Sequence, residues 1–189
     1  MFVTASAPAP WNDANINHRE GCTFTSGRVT RELFLRQLAA YAQYHRDPYN
    51  CATHYVGIPM LFLAVILPLE ALRVHTGRHE IPLAIILTLP AIMGWIWLDL
   101  GVGATLFAIL CPLFVVSELV VRHGFALTWW TTAILFGIGW LFQLLGHSTF
   151  EHRRPAFVDD LSFTLIGPMF VAAKLLVSLG LRRDLAPYL

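Results

Sequence analysis

The sequence predicts an all-α integral membrane protein with four transmembrane helices. An N-terminal interfacial helix precedes them, and a fifth, C-terminal apolar helix is spanning or re-entrant. Three observations predict this. Charged residues make up only 13% of the chain, against about 25% in soluble domains. Hydrophobic residues make up 56% and the mean hydropathy is +0.59. The apolar residues also gather into runs that match a hydrocarbon core of about 30 Å, separated by short polar turns. The net charge of +1 provides no basic stripe to neutralise phosphates, which argues against a nucleic-acid partner.

Taken in order, residues 1–27 are rich in Ala, Pro, Asn, Ser and Gly and lack the basic start and apolar core of a signal peptide. They are expected to form a polar, poorly ordered tail, with residues 28–189 a single helical membrane domain. From Thr30, Leu33, Phe34, Leu38 and Tyr41 recur at steps of three and four, and Arg31, Glu32 and Arg36 lie on the other side. This predicts a short amphipathic helix at the membrane surface, with His45 continuing its apolar face. Asp47-Pro48 ends it, and Asn50 is the expected N-cap of the next helix, which carries His54 in its first turn.

The spans then read Tyr55–Leu72, Ile81–Leu98, Val102–Val121 and Leu127–Leu145. A polar loop, Arg73–Glu80, follows the first. Trp129 and Trp130 stand near the start of the fourth, as in an interfacial belt. Leu161–Leu181 is the fifth apolar segment, broken early by Gly167-Pro168 and carrying Lys174. Four spans separate His54 from His147, and an even number of crossings returns the chain to one face. His45, His54, His147 and Glu151 are therefore expected together. Arg19, Arg28, Arg31, Arg36, Arg46, Arg153 and Arg154 share that face, while Arg73, Arg78 and Arg122 lie on the other. This bias makes the first face cytoplasmic.

The chemistry is concentrated where the fourth apolar run ends, in LFQLLGHSTFEHRRP. His147 and Glu151 are four apart, so on a helix they share a face and offer two metal ligands. Three imidazoles and a carboxylate suit ferrous iron with open coordination positions, or a closed tetrahedral zinc site; the ligand set alone does not separate them. Arg153 and Arg154 are placed to hold a substrate carboxylate, or to anchor the helix end. His152 points away from Glu151 and reads as a supporting or surface residue. Asp159 and Asp160 are candidates to orient a ligand histidine or to cap the last helix. His75 and His79 fall in the first loop on the opposite face, and His18 and His123 face solvent. Cys22, Cys51 and Cys111 form no CxxC pair and read as apolar filler.

YHRDPYNCATHYVGIP at 44–59 and GHSTFEHRRPA at 146–156 resemble the two signatures of a small membrane-protein family, formerly a domain of unknown function. Its characterised eukaryotic member is the 2-hydroxy fatty acid dioxygenase of the yeast endoplasmic reticulum. The matching positions are Tyr44, His45, Asn50, His54, Gly57, Pro59, Gly146, His147, Glu151, Arg154, Pro155 and Ala156. The resemblance covers about residues 30–180. It implies Fe(2+)-dependent α-oxidation, in which a 2-hydroxy fatty acid and dioxygen give an acid one carbon shorter. His45, His54 and His147 would then be ligands, and Glu151 a fourth ligand or the catalytic base. Tyr44, Asn50, Arg153 and Arg154 would contact substrate, with His152 and Asp159 behind them. The membrane would be a bacterial inner membrane or the endoplasmic reticulum. Two other readings fit the residues: a non-enzymatic membrane protein with structural zinc, and a histidine-rich lipid hydroxylase.

Overall fold

The computed structural model describes residues 26–189, so the expected tail, with His18 and Cys22, lies almost wholly outside the described residues. The fold is helical. Its elements are α1 (Ser26–Ala42), α2 (Pro48–Ala71), a hairpin of β1 (Arg73–Thr76) and β2 (His79–Pro82), α3 (Leu83–Leu98), α4 (Leu100–Arg122), α5 (Phe125–Leu145) and α6 (Phe163–Ser178).

Among the described residues, three helices are long and apolar enough to cross a membrane: α2, α4, and α5 together with the turn that extends it to Glu151. The sequence reading of four such helices is not reproduced. At 16 residues, α3 rises about 24 Å, short of a hydrocarbon core of about 30 Å. The expected span began at Ile81, but Ile81 and Pro82 belong to β2. The loop expected at Arg73–Glu80 is instead the antiparallel hairpin, closed at Gly77 with φ 62°. Glycine, having no Cβ, adopts that angle most readily. The hairpin signal was four residues of β-compatible sequence either side of Gly77-Arg78, too short to register against the helical pattern.

The apolar face of α1 is not left to the membrane surface. Phe34 and Leu38 are fully buried and Tyr41 nearly so, packed with Phe163, Met169 and Phe170 of α6 in one core. Arg31 bonds Asp184 and ties α1 to the C-terminal segment. Arg182 clasps Asp99 with two hydrogen bonds of 2.7 and 2.9 Å. Asp99 also accepts from Val102 N, capping α4. The C-terminus is thereby fixed to the α3–α4 turn.

The closest helix pair is α2 with α5. Gly57 and Gly139 face each other, and a Cβ on Gly139 would lie 2.8 Å from Leu61. At Gly146 a Cβ would collide with Thr53 Oγ1 and Asn50 Oδ1. The glycines let the two backbones approach, which brings the start of α2 to the end of α5.

Candidate metal centre

Three corrections to the local reading shape the site. First, α1 ends at Ala42, so His45 belongs to the link between helices rather than to the face of α1. Second, Asp47, not Asn50, is the N-cap of α2. Its carboxylate accepts from Tyr49 N and Asn50 N, and Pro48 takes the first helical position. Third, Gly146–Glu151 is a π-helical turn, so the α-helical face-sharing assumed for His147 and Glu151 does not apply. The turn ends at His152 in a left-handed conformation (φ 50°), where the backbone N–H bonds His147 O.

His45, His54 and His147 converge. Each is 1–2% exposed, and one ligand nitrogen from each lies within 4.8 Å of the others. The ring centroids are 4.5, 4.8 and 5.0 Å apart. His45 Nδ1 is 3.1 Å from Tyr41 O, and His54 Nδ1 is 2.8 Å from Asn50 O. A carbonyl can only accept, so in both rings Nδ1 carries the proton and Nε2 presents its lone pair. The two Nε2 atoms face each other at 3.1 Å. Burial, with the neighbouring imidazoles, pushes the His45 pKa down to about 2, so this ring does not relieve the contact by protonation. Two lone pairs at this distance call for a cation beside both. Two nitrogens each about 2.1 Å from one ion are separated by about 3.0–3.4 Å. His147 Nδ1 is likewise buried with no hydrogen-bond partner among the described residues. The donor set therefore fits a metal ion.

Glu151 stands outside this trio. Its Oε1 accepts from Asp47 N at 2.8 Å and from Asn50 Nδ2 at 3.2 Å, joining the end of α5 to the start of α2. Asn50 is buried and also bonds Tyr44 O. Tyr44 donates to Asp159 at 2.9 Å, and Arg153 lies 5.7 Å over the Tyr44 ring. Thus Asp159 is engaged by Tyr44, and backbone carbonyls rather than carboxylates orient His45 and His54. Asp160 accepts from Ser162 N. His152, Arg153 and Arg154 are exposed. His75 pairs with Glu80 in the exposed hairpin, and His123 is exposed at the end of α4.

Sequence reasoning missed several neighbours. The Tyr41 ring stacks on His45 with centroids 4.2 Å apart. Lys174, conspicuous inside an apolar segment, turns inward, with Nζ 2.9 Å from Cys51 Sγ and 4.9 Å above Phe170. Cys51, taken as filler, also contacts His45 O, whereas Cys111 is exposed. Inward lysine and buried cysteine account for each other, a pairing that no spacing in the sequence reveals.

A cavity of about 680 Å³ opens from His54 and His147. One face of α2, from Ile58 through Leu61, Phe62, Val65 and Ile66 to Leu69, forms its long wall, opposite Leu87 and Ala91 of α3. From His54 to Leu69 is about 22 Å by helical rise. Its lining is overwhelmingly apolar. Tyr44, Asn50, Arg153 and Arg154 are not among the residues that line it.

The family described as 2-hydroxy-palmitic acid dioxygenase Mpo1-like matches residues 32–179. A Saccharomyces cerevisiae protein, 2-hydroxy-palmitic acid dioxygenase MPO1, is 31% identical over 145 residues, covering 76% of this chain and 80% of that protein. No solved structure matches.

Proposed function

Because the chain belongs to the Mpo1-like family, we propose that it is an Fe(2+)-dependent dioxygenase that shortens 2-hydroxy fatty acids by one carbon. The observation that carries this reading is the trio of buried imidazoles, two of which line an apolar cavity. Three nitrogen donors would leave coordination positions open for substrate oxygens and dioxygen. Bound there, ferrous iron would supply the one-electron chemistry that lets dioxygen react with a closed-shell acid.

The protein's residues do the rest. Tyr41 O and Asn50 O hold the His45 and His54 rings in the tautomer that ligates. Glu151 positions rather than ligates, holding the start of α2 against the end of α5. Ile58, Phe62, Val65 and Leu69 take the acyl tail and exclude water from the head. The acid enters from the lipid phase, where its tail already resides. The balance closes with one dioxygen consumed and the lost carbon released as carbon dioxide with water.

The test is anaerobic reconstitution of purified protein with ferrous iron, followed by oxygen uptake with 2-hydroxypalmitate and with palmitate. Uptake with the first alone, yielding the acid one carbon shorter, is expected. Stoichiometric tightly held zinc and no uptake after iron loading would instead make the trio a structural site.

A further inference from the structure

Gln143 lies on α5 one turn before His147. The residues around it, Leu141, Leu144 and Leu145, are exposed on the outside of the helix, whereas Gln143 is 6% exposed. It faces inward between α5 and α2. A primary amide brings two donors and an acceptor into the interior, and buried amides are almost always hydrogen-bonded. Gln143 Nε2 has no partner among the described residues.

The fold makes room for this amide. A Cβ on Gly57 of α2 would stand 3.0 Å from Gln143 Nε2 and 3.2 Å from Gly139 O. Gln143 also lines the cavity that His54 and His147 line. Two other polar groups of that lining are already engaged. Thr88 bonds Ala84 O at 2.6 Å, and the Trp95 indole bonds Leu165 O at 3.0 Å. Gln143 is thus a donor without a protein partner at the junction between the acyl wall and the imidazoles.

Resting on the function proposed above, we infer that Gln143 recognises the substrate head: its amide N–H donates to a carboxylate oxygen of the 2-hydroxy acid. The contact fixes the head against the three imidazoles while the tail runs along α2. It also offers a reason for a glycine at position 57, since any side chain there presses on the amide.

The experiment uses full-length, iron-loaded protein under anaerobic conditions, with binding read from tryptophan fluorescence. Two ligands are compared: 2-hydroxypalmitate, and 1,2-hexadecanediol, which keeps the hydroxyl and lacks the carboxylate. Gln143→Leu is expected to weaken 2-hydroxypalmitate about tenfold or more, to leave the diol within about twofold, and to leave iron content unchanged. Gln143→Glu, the same shape with a negative charge, should weaken the acid further. Gln143→Met serves if the leucine variant fails to accumulate. Equal weakening of acid and diol, or wild-type affinity for the acid in Gln143→Leu, overturns the inference while leaving the proposed reaction intact. Wild-type protein that does not bind 2-hydroxypalmitate overturns both.

Discussion

At the end of the bundle where α2 begins and α5 stops, three buried imidazoles meet, two of them with lone pairs toward each other. At the opposite end, where α2 and α4 finish, four charged side chains also gather. Glu70 is buried, Arg73 bridges Glu118 at 2.8 Å and Glu70 at 3.7 Å, and Arg122 bonds Glu118 at 2.7 Å. Two acids and two bases balance in charge and are linked by ion pairs, although one oxygen of buried Glu70 has no hydrogen-bond partner among the described residues. Burial alone does not mark a functional site. A polar cluster whose groups complement one another holds helices together, and one whose groups repel is built for something else.

The largest test of this contrast is His147→Ala. It should abolish bound iron and oxygen uptake while purified yield is retained; metal analysis beside oxygen consumption reads both. Gly146→Ala comes next. Its methyl enters the space of Thr53 and Asn50, and overpacking of this kind costs about 1–3 kcal/mol. A lowered thermal midpoint in detergent, together with poorer iron retention, is expected.

A smaller effect is expected from Glu151→Gln. The amide keeps the shape but accepts more weakly from Asp47 N and Asn50. Iron affinity should fall about tenfold, the usual penalty for a group that orients ligands. Iron competition with a chelator measures it, and a complete loss of iron at any concentration would make Glu151 a ligand instead. Smallest is Glu118→Gln at the opposite end. Partly exposed ion pairs contribute up to about 1 kcal/mol, so the thermal midpoint shifts slightly and iron content stays at wild type.

The sequence made the long helices and the converging trio legible for different reasons. Apolar runs report crossing length directly, but the four crossings on which the parity argument rested are not reproduced; the close packing of α2 along α5 is what brings the first turn of α2 to the end of α5. Where the reading failed, a tertiary contact decided. The stripe of Phe34, Leu38 and Tyr41 looks the same whether lipid or α6 covers it. Glu151 is spaced for an α-helical pair with His147, but the π turn and the backbone N–H of Asp47 direct it to the start of α2. Asn50 resembles an N-cap until Asp47-Pro48 supplies a better one. Gln143, a lone amide among leucines, was not singled out, because its meaning needed Gly57 opposite.

One imidazole is carried by the link ahead of α2, one by the first turn of α2 and the last by the end of α5. During synthesis the first two nitrogens are therefore delivered early and the third is withheld until most of the chain has been threaded into the bilayer. An ion caught too soon has two handholds and is readily lost; one caught afterwards is locked by the completed bundle. Under the proposed function, oxygen chemistry would wait on finished assembly, and a chain stalled partway would stay inert.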